Sequence, residues 1–245
     1  MKVCVTGRNP ENIVSLLNDS FKDFHIVDKN PDLVIAHGGD GTLLDAERTF
    51  PGVDKLPIRD MQTAVRCKDH YSLKNYISSF ISNKLNKTEL IKIAGFKDNQ
   101  CIVGLNDIFI HNVDRGGALR YFVYLNDKPY GNEIIGDGVG ISTVHGSTAY
   151  YRSITHSIFK IGIGLAFNNS TEVTNHLVLP EDTVIKIKIT RGPAVIIADN
   201  SPLRIDVSEG EEVVLKKISK KAYIYGLEAF MCEECRKLRH YNRNN

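Results

Sequence analysis

The pattern of this chain changes character near residue 88, and that change constrains the fold more than any other feature. Before it, strand-sized apolar runs (residues 2–6, Phe24–Val27, Leu33–Ala36, Leu56–Ile58) alternate with stretches whose apolar positions recur at helical spacing (residues 11–19, 42–50 and 71–84). After it, to about residue 226, strand follows strand: Glu89–Ala94, Cys101–Leu105, Asp107–His111, Leu119–Leu125, Thr183–Ile189, Ala194–Ala198, Glu212–Lys216 and Ala222–Tyr225. Alternation predicts an open, mostly parallel α/β sheet, and the later run predicts a β-rich, sandwich-like domain. The expected organisation is an α/β domain over 1–88, a β-rich domain over 89–226, and a closing helix with a polar tail over 227–245. That last segment is expected to pack back on the first domain.

Within the first domain, Leu33–Ala36 runs into His37-Gly38-Gly39-Asp40-Gly41-Thr42 and then into a helix-like segment. A strand–glycine loop–helix unit presents backbone N–H groups and a positive helix end to a phosphate. An aspartate inside such a loop repels a phosphate at close range. Asp40 makes sense if it faces a hydroxyl to be deprotonated, or a metal ion bridging to the phosphate. Phosphoryl transfer to an alcohol is therefore the first expectation.

Three further places carry polar chemistry among apolar runs. Asn106-Asp107 sits between two strands. Gly136–Tyr150 holds three glycines over five residues, the hydroxyls of Ser142, Thr143, Ser147 and Thr148, and the flat ring of Tyr150. Ala198-Asp199-Asn200-Ser201 follows another strand. Together they suit a polar, planar ligand such as a nucleotide; taken alone, the Gly136–Tyr150 stretch also reads as a glycine-rich hairpin with a helix cap.

The chain offers little support for other function classes. Its net charge of +2 points to no nucleic-acid partner. Lys216-Lys217 and Lys220-Lys221 read as a solvated strand edge. No apolar run approaches the ~20 residues of a membrane span. Met1–Val5 reads as a first strand without a signal-peptide pattern, and five cysteines, an odd count, suggest a reducing cytoplasm. The Cys232–Cys235 pair lacks the second ligand pair of a structural zinc site, so no protein metal site is expected.

The motifs resemble those of the NAD kinase family. His37–Leu44 is similar to the family's glycine–aspartate loop, Asn106-Asp107 to its asparagine–acid pair, and Gly136–Tyr150 to its long signature. The resemblance extends over roughly residues 1–238. It implies transfer of a phosphoryl group from ATP, or polyphosphate, to the adenosine ribose 2′-hydroxyl of NAD. Asp40 then matches the catalytic aspartate, and Gly38, Gly39, Gly41 and Thr42 the phosphate-binding loop. Asn106 and Asp107 match the pair that reads the adenosine, Asp137 a nicotinamide-side contact, and Ser142, Thr143, Thr148, Ala149 and Tyr150 the dinucleotide pocket. Asp199 and Asn200 are further candidates. The resemblance also implies Mg²⁺ or another divalent cation with ATP, and a homodimer or homotetramer whose subunits complete each other's sites.

The departures from the family pattern matter. Where relatives carry a glycine-rich stretch after the next strand, residues 58–67 hold none. Arg59 and Arg66 have two readings there: side-chain cations replacing backbone amides at a phosphate, or surface charges on a re-routed loop. His145 replaces part of the usual Pro-Thr pair, either touching a phosphate or filling the turn. Asp107 stands for a more usual glutamate, and Thr155-His156 for paired glycines. These changes keep two alternatives open: a weakened NAD- or NADP-binding sensor, and a kinase for another alcohol such as a lipid or sugar.

Overall fold

The computed structural model describes residues 1–60, 72–114 and 116–235. The expectations for Arg66, Cys67 and the tail past residue 235 lie outside these residues. The chain forms two compact units, one of residues 1–90 with 222–245, the other of residues 91–221.

The first unit begins with β1 (Lys2–Gly7), α1 (Pro10–Ser20), β2 (His25–Ile26), β3 (Leu33–Gly38), α2 (Asp40–Thr49), β4 (Asp54–Arg59) and α3 (Leu73–Ile81). β1 pairs in parallel with β2 on one side and β3 on the other, and β3 pairs in parallel with β4. β3 is buried along its whole length, which is why it reads as a continuous apolar run. Ile13 and Leu17 of α1 and Ile77 and Phe80 of α3 pack with Leu33, Ile35, Leu56 and Ile58 of the sheet. Fully burying each such side chain contributes about 1.5–3 kcal/mol. Under α2, Glu47 and Lys55 form an ion pair with both side chains buried.

The second unit is built from β5 (Lys87–Lys97), β6 (Gln100–Gly104), β7 (Asp107–Asn112), β8 (Leu119–Leu125), β9 (Lys128–Pro129), β10 (Ile134–Gly136), β11 (Gly138–Ser142), α4 (Tyr150–Thr155), β12 (Ile163–Asn168), β13 (His176–Leu179), β14 (Ile185–Arg191), β15 (Ala194–Ala198) and β16 (Ile205–Val207). One antiparallel sheet has the order β13-β12-β11-β7-β15-β16. A second set of strands runs β10-β8-β14 and on to β17 (Glu212–Tyr225). Residues alternating inward from both sets, among them Ile108, Ile110, Val139, Ile141, Tyr121 and Ile187, share one apolar core. The α/β-then-β fold class expected from the pattern is the one observed.

The chain ends back in the first unit. Tyr223 and Ile224 of β17 pair in parallel with Asp54 and Lys55 of β4. α5 (Leu227–Phe230) then sets Phe230 against Leu43 and Ile224.

Candidate active site

The helix expected from residue 42 begins two residues earlier. Gly39 is its N-cap in extended conformation, and its carbonyl accepts from the N–H of Thr42 at 3.1 Å and of Leu43 at 3.2 Å. Asp40 and Gly41 are thus helical and exposed at the positive end of α2. Gly38 is buried at the end of β3, and a Cβ there would lie 2.2 Å from Thr42 Oγ1. A Cβ on Gly7 would lie 2.6 Å from Thr42 Cγ2. Thr42 therefore packs its side chain onto two glycine backbones, and this holds the loop closed on the sheet.

Asp40 is 58% exposed at its side chain, and its Oδ1 accepts from Arg59 Nη2 at 2.7 Å. Arg59 is the last residue of β4, in register with Gly38, and its side chain is only 13% exposed. Its Nε donates to the Phe230 carbonyl at 3.0 Å, and its guanidinium lies 4.0 Å from the centre of the Phe230 ring. Nη1 is 3.7 Å from where a Cβ on Gly39 would be. Arg59, which the sequence left as either a phosphate-binding cation or a surface charge on a re-routed loop, is mostly enclosed and held by Asp40 and by the carbonyl and ring of Phe230.

In the second unit, the Asn106-Asp107 pair is held by Asp199. The Asp199 carboxylate accepts from the backbone N–H of Leu105 at 2.7 Å, Asn106 at 2.8 Å and Asp107 at 3.0 Å. Asp199 thus shapes the loop that presents its neighbours. Asn200 is exposed beside it. The Asn106 carbonyl accepts from Thr143 N–H at 2.8 Å and Ser142 Oγ at 3.1 Å. Thr143 Oγ1 donates to the Leu105 carbonyl at 2.7 Å. Ser142 and Thr143 are buried, so the expectation that their hydroxyls meet a ligand gives way to a structural one. Their O–H groups are spent on the 105–106 backbone, because a buried carbonyl left without a donor is costly. A Cβ on Gly146 would lie 2.1 Å from the Asn106 carbonyl oxygen, so this turn also closes on that loop. The Asn106 side-chain oxygen, in contrast, is buried with no hydrogen-bond partner among the described residues.

Period-two alternation along β7 sends Asp107, Phe109 and His111 to the face away from the core residues Ile108 and Ile110. Tyr150, the first residue of α4, is 39% exposed and sets its ring edge-on to Phe109 at 4.8 Å and beside His111 at 5.7 Å. The glycines of β11 fit this surface. A Cβ on Gly140 would lie 2.5 Å from the Phe109 ring, and one on Gly138 3.1 Å from His111 Nδ1. The backbone of β7 approaches as closely: a Cβ on Gly140 would lie 2.3 Å from the Ile108 carbonyl oxygen and one on Gly138 2.5 Å from that of Ile110.

Burial and the neighbouring Asp199 charge push the Asp107 carboxyl up to about 7, against the Tyr150 backbone N–H that favours its charged form. Burial lowers the His111 imidazole, opposed by Asp137. Burial, with Asp107 and Asp137, raises the Tyr150 phenol. Asp137 is exposed and accepts from Asn169 Nδ2 at 2.9 Å. Thr148 and Ala149 lie in the turn leading into α4, where Ala149 N–H donates to the Gly146 carbonyl at 2.8 Å. His145 is half-buried ahead of that turn. The structure thus gathers Asn106, Asp107, Asp137, Tyr150 and Asp199 in the second unit, and Gly38–Thr42 with Arg59 in the first. Phe109, His111 and the anchor Phe230 were not singled out from sequence. The alternation of Asp107-x-Phe109-x-His111 was a signal for the first two; nothing local marked Phe230.

A bifunctional NADP phosphatase/NAD kinase of Methanocaldococcus jannaschii is 28% identical over 216 residues, covering 80% of this chain and 36% of that protein. The chain therefore spans about a third of that relative's length. An NAD kinase of Caldicellulosiruptor saccharolyticus is 28% identical over 239 residues, covering 89% and 88% of the two chains. No protein-family model matches the chain. Among solved structures, yeast NADH kinase complexed with NADH superposes with a TM-score of 0.77 over 94% of this chain and 86% of that one, at 18% identity. An Archaeoglobus fulgidus NAD kinase in complex with ATP superposes with a TM-score of 0.72 over 94% and 96%, at 16% identity. The chain is thus similar in sequence to NAD kinases and shares its fold with solved NAD and NADH kinases.

Proposed function

We propose that this chain is an NAD kinase that transfers the γ-phosphoryl group of ATP, or a terminal phosphoryl of polyphosphate, to the adenosine ribose 2′-hydroxyl of NAD. The observation that carries this reading is Asp40: an exposed carboxylate at the head of α2, directly after a glycine pair at the end of a buried parallel strand. In the proposed step the ribose O2′–phosphorus bond forms and the bond from phosphorus to the bridging oxygen of the donor breaks. The hydroxyl proton passes to Asp40, and ADP, or the polyphosphate shortened by one unit, leaves with the bridging oxygen. Asn106 and Asp107 bind the adenosine end, Tyr150 offers its exposed ring for stacking, and Asp137 takes the nicotinamide side.

Among the described residues no three His, Cys, Asp or Glu side chains converge as a metal site. The divalent cation belongs to the same proposal and is expected to enter with the donor as Mg²⁺–ATP. Cytoplasmic location and a homodimer or homotetramer are part of the same proposal. Among the described residues no helix is long and apolar enough to cross a membrane.

The Arg59–Asp40 ion pair favours one other reading, a dinucleotide sensor whose base is neutralised. Purified protein is incubated with NAD, Mg²⁺ and either ATP or polyphosphate, and NADP is quantified. Product with either donor is expected and names the donor. No product with both, alongside calorimetric binding of NAD or NADP, would transfer the assignment to the sensor.

A further inference from the structure

Arg59 is built into the first unit in an unequal way. Its Nε donates to the Phe230 carbonyl, its guanidinium lies over the Phe230 ring, and Nη2 comes within 3.9 Å of Met231 Sδ. Its partner Asp40 is exposed and reaches it through a single oxygen. An ion pair with so exposed a carboxylate is weak, whereas a guanidinium offers its full fork to a phosphate. The fork also lies beside Gly39, with Arg59 Nη1 3.7 Å from where a Cβ on that glycine would be. While the pair stands, Asp40 Oδ1 accepts from the guanidinium, and the cation beside the carboxylate opposes transfer of a hydroxyl proton to it.

Resting on the kinase reading above, we propose that Arg59 is a donor-binding residue that exchanges partners. In the unliganded chain its guanidinium holds Asp40; the donor's terminal phosphate takes the guanidinium over, and the exchange hands Asp40 to the incoming hydroxyl. Arg59 remains protonated throughout and exchanges only hydrogen bonds. The glycine-poor segment that begins at residue 58 is thereby given a donor-side cation in place of backbone amides.

The test is a double-mutant cycle on Mg²⁺–ATP binding, measured by titration calorimetry without NAD. The variants are wild type, Asp40→Asn, Arg59→Gln and the double variant, each checked for folding by circular dichroism. Arg59→Gln is expected to weaken ATP binding about tenfold, the loss of a charge-assisted bidentate contact. Asp40→Asn releases the guanidinium and is expected to tighten ATP binding several-fold, and that gain must vanish in the Arg59→Gln background. If the gain persists there, Asp40 merely repels phosphate and the exchange is wrong. Wild-type affinity in Arg59→Gln, or no ATP binding by wild type at millimolar concentration, also overturns it. Should Arg59→Gln fail to fold, Arg59→Lys keeps the charge without the fork, and the gain from Asp40→Asn must shrink in that background. NADP formation by wild type is scored separately, so a chain that binds ATP through Arg59 but makes no NADP refutes the kinase reading and leaves the exchange standing.

Discussion

Two carboxylates carry opposite requirements. Asp40 is exposed and paired with a cation, suited to meet a hydroxyl; Asp107 is buried near a second carboxylate. Asp40→Asn should lower NADP turnover by about 10²-fold or more, the usual contribution of a general base, while calorimetry shows NAD affinity unchanged. Retained turnover would remove Asp40 from the base role. For Asp107 the sign follows from a carboxyl raised from 3.8 to about 7 on folding. The folded state favours the protonated acid, so its contribution to stability is full below the unfolded value and lost as pH rises through about 7. Asp107→Asn should therefore raise the melting temperature at pH 8, by about 2–4 °C for each kcal/mol recovered, and leave it nearly unchanged at pH 4. An equal shift at both values would show that ionisation is not the cause.

Single elements are shaped by contacts distant in sequence. Three consecutive N–H groups converge on Asp199 from a loop more than ninety residues earlier. Asp199→Ala leaves these donors without their acceptor, at a cost of about 1–3 kcal/mol for each donor that stays buried. Urea denaturation should show the loss, and NAD affinity should fall with it because the loop presents Asn106. Unchanged stability would mean that water replaces the carboxylate. α4 ends in His156 with φ 55° and ψ 18°, a left-handed residue where glycine is the usual choice. His156→Gly is expected to stabilise the protein by up to about 1 kcal/mol in the same denaturation assay, the left-handed backbone cost less the added freedom of glycine in the unfolded chain; a loss instead would show that the imidazole makes contacts worth more than the backbone strain. The pattern Asp107-x-Phe109-x-His111 was legible as a strand face. That Gly138 and Gly140 accept those rings was not, because pairing of β11 with β7 decides which side chains cross a glycine.

At the scale of the molecule, the first unit is discontinuous in sequence. Its last sheet neighbour and the anchor of Arg59 come from residues 222–235. Ending the chain after Lys221 removes one of the two sheet neighbours of β4, uncovers Leu43 and takes away the Phe230 anchor of Arg59. Hydrogen exchange should then lose amide protection along β1, β3 and β4; full protection there would show that the N-terminal segment folds without its C-terminal return. What the sequence by itself determined was the class of each stretch and the loop motifs. Apolar spacing of two or nearly four residues, and glycines beside polar residues, are local properties that a strand, helix or turn needs wherever it lies. What only the tertiary structure decided was which hydroxyls face inward, what lies over each glycine, and that Arg59 joins Phe230 to Asp40. Those depend on contacts between segments tens to more than a hundred residues apart, and burial and charge act through distance in space, which local pattern does not record.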